Sequence, residues 1–238
     1  MNYKKITFIL LFITSIGWTQ NITSFFKETD AFFKEYVQNG RVNYKAIKEN
    51  PESLQKILAM TNSLSVTKND AKTYQAYWIN IYNLSVIKGI IDNYPVKSPL
   101  DIKGFFDITK HVVGGKKITL NDIEHTLLRK QFHDARFHFV LVCAGLGCPP
   151  IINEAYMPET LELQLERQTR IALNREDFIK VNTQKRRVQL SEIMKWYKED
   201  FTQNGNEIKF INQYRTDKID EKSKISYYPY NWNLNEIE

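Results

Sequence analysis

Cys143 and Cys148 are the two cysteines of this 238-residue chain, and they stand five positions apart around Ala144-Gly145-Leu146-Gly147. A thiol that ends an apolar run and enters a glycine loop is well placed for nucleophilic chemistry. Successive N–H groups of such a loop, with Gly145 and Gly147 allowing the turn, can bind an anion or oxyanion and lower the pKa of the thiol. His125 is the base that fits: in the first turn of a helix the dipole disfavours imidazolium and keeps a neutral imidazole available. The class would be acyl transfer or amide hydrolysis by Cys143 and His125, with the histidine preceding the cysteine and no full papain-type signature. Glu124 adjoins His125, but neighbouring helical residues diverge by about 100°. Spaced three from Asn121, Glu124 reads first as a capping residue and second as a carboxylate serving the histidine.

A structural reading competes. In an oxidising compartment Cys143 and Cys148 would be joined, and closing so small a ring contributes about 2 kcal/mol. The domain would then be a binding or scaffold module for a small molecule or peptide, with aromatics such as Tyr228 and Trp232 as its contact surface. A redox role is a third option, although CxxxxC lacks the CxxC geometry of thioredoxin-like sites. The four histidines show no i, i+4 pair and no HExxH spacing, and no GxGxxG or P-loop pattern occurs. The sequence therefore predicts neither metal nor cofactor.

The elements that must position these groups follow from periodicity. Phe25, Phe26, Phe32, Phe33 and Tyr36 recur at helical spacing and predict a first helix ending at Gly40. Pro51 opens a short helix. Asp70 caps the strongest helix, about 70–91, which is apolar on opposite sides and so belongs inside the fold. Its Asn80 and Asn83 must find partners there. They either hold neighbouring loop backbone or orient a histidine or a substrate amide. Gly114-Gly115 between short β-like runs predicts a hairpin. Residues 136–143 read as a buried strand, with Phe137, Phe139, Leu141 and Cys143 on one face. On that reading His138 lies about 17 Å from Cys143 at ~3.4 Å per residue, too far to pair with it, and is a satisfied core histidine. A helix entered at Pro158, a second hairpin over 178–190 with Lys185-Arg186-Arg187 at its tip, a Ser191-capped helix to Phe201, a short helix over 207–214 and an extended aromatic segment from Ile225 to Trp232 complete the chain.

At the N-terminus Lys4 and Lys5 precede an apolar run from Ile6 to Trp18, with small residues before Gln20. That pattern predicts a signal peptide over residues 1–19, too short to span a bilayer. The protein is then expected to be exported, periplasmic or secreted, with no membrane span after cleavage. Removing both lysines from a formal charge of +6 leaves it mildly basic. Without clustered basic and aromatic residues, nucleic-acid binding is not expected.

Four segments, taken in order, resemble the uncharacterised family known as domain of unknown function 547 (DUF547). They are Tyr77-Trp78-Ile79-Asn80-Ile81-Tyr82-Asn83; Asp122-Ile123-Glu124-His125 with Leu128-Arg129; His138-Phe139 leading to Cys143 and Cys148-Pro149-Pro150; and Tyr227 through Trp232. The resemblance spans nearly the whole mature chain and implies one domain, often exported in bacteria. It carries no activity or catalytic residue with it. The expected architecture is one α+β domain over residues 20–238, helix-rich, with the central apolar helix packed on a small sheet with hairpins.

Overall fold

The computed structural model describes residues 21–237. The expected signal peptide lies outside them. Helix α1, residues 21–36, buries Phe25, Phe26, Phe32, Phe33 and Tyr36. It runs into a two-residue hairpin, β1 (Val37–Gln38) and β2 (Arg41–Val42), turned by Asn39 and Gly40 at φ 52° and 78°. Those left-handed values are what a tight hairpin turn demands. Asn43 then caps α2 (Tyr44–Glu49) by accepting from the Ala46 N–H, and α3 (Glu52–Met60) follows Pro51.

Helix α4, Ala71–Asn93, is the long central helix the sequence predicts, capped by Asp70 accepting from the Thr73 N–H. Apolar residues on every side of it are buried, from Tyr74 and Tyr77 through Ile79, Ile81, Leu84 and Val86 to Ile90 and Ile91. A helix with no wet face needs neighbours all round. Its principal ones are α2, α3 and the helix at 122–129 rather than the sheet expected from the sequence. All belong to one continuous core. Among the described residues no helix is long and apolar enough to cross a membrane.

The hairpin β3 (His111–Val113) and β4 (Lys116–Ile118) forms around Gly114-Gly115. Asp122–Arg129 then winds as a π helix, not as an Asn121-capped α-helix, and is continued by α5 (Lys130–Phe132). Asn121 makes no side-chain cap here. The reciprocal pair is instead Thr119 and Asp122, each accepting the other's backbone N–H at 3.0 Å. Glu124 is thereby released from the capping role.

The predicted strand over 136–143 is not formed. Ala135–Phe139 is a 3-10 turn started by Asp134, which accepts from the Arg136 N–H at 2.9 Å, and the chain beyond is irregular. Asn83 replaces the missing ladder: its amide donates to the Val140 carbonyl and accepts from the Val142 N–H, both at 2.9 Å.

After α6 (Leu161–Asn174), β5 (Ile179–Asn182) pairs antiparallel with β6 (Arg187–Ser191), which pairs parallel with β7 (Lys224–Tyr228). Ser191 caps α7 (Glu192–Trp196). The single helix expected to reach Phe201 is broken at Tyr197, and α8 (Lys198–Phe201) resumes after it. Helix α9 (Glu207–Tyr214) follows, and the last segment bridges Gly145 to Leu234 and Val42 to Glu236. The architecture is α+β and helix-rich, with small sheets and hairpins.

Candidate functional site

A cavity of about 550 Å3 opens where the π helix, the loop over 102–107, the cysteine loop, the α7–α8 break and the C-terminal aromatics meet. Glu124, His125, His138, Cys143 and Cys148 all line it. The 3-10 turn explains how His138 and Cys143 share a wall. The extended strand that would have held them apart does not exist.

Cys143 and Cys148 form a disulfide. The phenol of Tyr230 lies 2.9 Å from each sulfur, and the Cys143 N–H points at Cys148 Sγ, also at 2.9 Å. A disulfide sulfur carries no proton, so Tyr230 is the donor. Burial pushes its pKa far above the ordinary phenol value, which keeps that proton in place. The loop between the cysteines is held by the C-terminal segment. Leu146 N–H donates to Asn233 O and Gly147 N–H to Asn231 O, each at 2.8 Å, while Cys148 N–H donates to Gly145 O at 3.1 Å. Two N–H groups of the expected anion nest, those of Leu146 and Gly147, are thus engaged by carbonyls. Gly147 is needed for approach: a Cβ there would stand 2.9 Å from the Asn231 nitrogen and from the Tyr230 ring. Gly145 likewise packs on Asn231, and Ala144 takes a left-handed φ of 63° between the cysteines.

The π helix sets the polar wall. Its i→i+5 register brings residues four and five apart toward one face, so Glu124, His125 and Arg129 converge; such windings recur at functional sites. Arg129 Nη1 donates to His125 Nδ1 at 2.6 Å and its Nε to Asp200 Oδ2 at 2.7 Å, while the guanidinium lies over the Tyr197 ring at 4.5 Å. A guanidinium only donates, so His125 Nδ1 accepts and the proton of the neutral ring sits on Nε2. His125 therefore offers a donor, not a base, from its far nitrogen.

Glu124 is 7% exposed. Its carboxylate stands 3.9 Å from His125 Nδ1 and acts on the Tyr197 hydroxyl. Burial first, and the Glu124 charge second, raise the phenols of Tyr197 and Tyr82 far above their ordinary values. His138, buried and stacked on Tyr197 with ring centroids 4.0 Å apart, is bonded to Asp200 Oδ2 at 2.7 Å. Burial opposes ionisation of Asp200, but hydrogen bonds from His138 and Arg129 outweigh it and hold the carboxyl well below the usual range.

The remaining wall is aromatic. Trp196 and Trp232 stack with centroids 5.8 Å apart, Tyr230 sits 4.6 Å from Trp232, and Phe106 closes on Trp232 at 6.1 Å. Trp196 is 46% exposed at the mouth.

Asn80 and Asn83 are absent from this wall. Asn80 donates to Tyr156 O at 2.8 Å and accepts from the Tyr156 N–H at 3.0 Å, so both amides clamp loop backbone on either side of the cysteine loop. From the sequence alone, Arg129, Tyr197, Asp200 and Tyr230 carry no role in the site. Arg129 and Tyr230 lie within the segments that carry the family resemblance, whereas Tyr197 stands outside them. For Asp200 no spacing signal existed. Among the described residues no group of three His, Cys, Asp or Glu side chains is arranged to hold a metal ion.

Nothing among the curated proteins matches the chain, and no solved structure matches it either. Residues 66–171 match one family model; the stretch takes in α4, the π helix and the cysteine loop, while the Tyr227–Trp232 segment lies beyond it. The chain belongs to that family, DUF547, whose description is a protein of unknown function.

Proposed function

We propose that this protein is an exported binding module that takes an organic ligand bearing a cationic amine into the aromatic cavity, with Glu124 as the acceptor. The observation that carries the reading is the buried Glu124 carboxylate on the polar wall of a cavity that Tyr197, Trp196, Tyr230 and Trp232 also line. Arg129, the neighbouring cation, makes its hydrogen bonds to Asp200 and His125 and acts on Glu124 only through its charge. A buried charge is costly unless it is paired, and an ammonium entering the cavity pairs it. Aromatic faces add cation–π attraction of about 0.5–2 kcal/mol each. The His125 Nε2–H supplies one further donor for orientation. A cavity of about 550 Å3 lies within the size range of small-molecule sites. The apolar run after Lys4 and Lys5, together with a disulfide, supports export; N-terminal sequencing of the protein recovered outside the cytoplasm tests that part.

Titration of intrinsic tryptophan fluorescence with phenethylamine tests the binding reading, since Trp196 and Trp232 stand in the wall. Phenethylamine is expected to give a saturable change and phenylacetate none. Equal responses, or none to either, would sink the reading. Thiol-dependent acyl transfer is the second reading, favoured by Cys143, His125 and Glu124 lining one cavity. As a disulfide Cys143 has no thiolate to offer, so that chemistry requires reduction first. Amide or ester hydrolysis appearing only after reduction, and lost in Cys143→Ser, would establish it.

A further inference from the structure

We propose that the Cys143–Cys148 disulfide is a thiol-exchange site, at which a dithiol entering the cavity is oxidised at Cys143 while Cys148 departs as the stabilised thiolate. The asymmetry between the two sulfurs carries the assignment. Cys143 is partly exposed on the cavity wall, whereas Cys148 is 9% exposed. Cys148 Sγ is the sulfur that receives the Cys143 N–H, at 2.9 Å, and the Tyr230 hydroxyl reaches it at the same distance.

Exchange rates rise as the leaving thiol becomes more acidic. Donors aimed at a sulfur favour its anionic form, and here the Cys143 N–H is in place before any bond breaks, with the Tyr230 hydroxyl within reach. Tyr230 also lies 2.9 Å from Cys143 Sγ, so its single proton can follow the negative charge to Cys148 as the bond opens.

The steps balance without an outside oxidant. A thiolate of the incoming dithiol attacks Cys143 Sγ; a mixed disulfide forms, the Cys143–Cys148 bond breaks, and its electron pair stays on Cys148. The second thiolate of the substrate then attacks its own sulfur in the mixed disulfide. It leaves as a cyclic or intramolecular disulfide, and Cys143 is released as thiolate to take up a proton. One dithiol is oxidised by two electrons and one protein disulfide is reduced. The substrate class is a small or peptide-borne dithiol slim enough to pass the aromatic mouth. The inference stands on the sulfur geometry and not on what else the cavity binds.

The test exposes the oxidised protein briefly to reduced glutathione, quenches it with iodoacetamide and maps both adducts by mass spectrometry. Glutathione is expected on Cys143 and the alkyl group on Cys148. Reduction by dithiothreitol should run about tenfold or more faster than for the cyclic peptide CAGLGC, which closes the same ring without Tyr230. Tyr230→Phe, with its circular dichroism unchanged, should lose about tenfold of that rate. Glutathione found on Cys148, or a protein rate no greater than the peptide's, would overturn the proposal. Neither of those readouts requires the variant to fold.

Discussion

Replacing Asn83 by alanine tests how the fold holds the site. Asn83 is 1% exposed, and its amide makes the hydrogen bonds recorded for Val140 O and Val142 N. Alanine leaves one carbonyl and one N–H without a partner in the interior, each costing about 1–3 kcal/mol. Partial relaxation or an entering water recovers some of this, so the expected loss is about 3 kcal/mol, a large share of a typical total of 5–15 kcal/mol. Asn83→Asp keeps the acceptor for Val142 but turns a carboxylate toward the Val140 carbonyl, and should cost at least as much. Urea unfolding followed by far-UV circular dichroism measures it, with the midpoint falling at unchanged slope. Asn93→Ala is the control: that residue is exposed at the end of α4, and its amide reaches only the Gly89 carbonyl within the same helix. A loss below about 1 kcal/mol for Asn83→Ala would refute the idea that this amide stands in for a strand ladder over 140–142.

Three further outcomes are expected. Burial chiefly, helped by Lys88 and opposed by Asp92, lowers the His111 pKa from 6.5 to about 4. The unfolded chain then binds a proton between those values that the native state does not. Stability should fall by about 3 kcal/mol as pH drops from 6.5 to 4, and His111→Phe should flatten that limb in denaturant titrations. For Asp200, depressed in the fold, the stabilisation is present above the usual carboxylate pKa and lost below it, so Asp200→Asn should weaken the protein at pH 7 and reduce its further loss in strong acid, read from thermal melts. Gly147→Ala should cost about 1–3 kcal/mol by overpacking and shift Tyr230, visible in near-UV circular dichroism.

The long helix α4 was legible because its apolar residues recur at helical period over many turns, with Asp70 and Pro95 marking its ends. The Gly114-Gly115 hairpin was legible from turn chemistry. The run Arg136-Phe137-His138-Phe139-Val140 misled because a short apolar stretch reads equally as buried strand or tight helical turn, and periodicity cannot separate them. Asp134 and Asn83 decide it, one locally and one from 50-odd residues upstream in the chain. The Asn121–Glu124 cap misled for a related reason: Thr119 and Asp122 compete for the same helix start with better geometry. In the site, the cysteines, His125 and Glu124 stood out by residue type. Arg129, Tyr197 and Asp200 did not, since their roles arise from contacts among the π helix, the α7–α8 break and the turn at 135–139 that no local spacing encodes.

The most direct test of the binding account is calorimetric titration of Glu124→Gln beside the parent protein, with phenethylamine and with the neutral 2-phenylethanol as ligands. The account predicts that the substitution weakens phenethylamine by about tenfold or more and leaves 2-phenylethanol within about twofold. Equal affinity of parent and variant for the amine would contradict it.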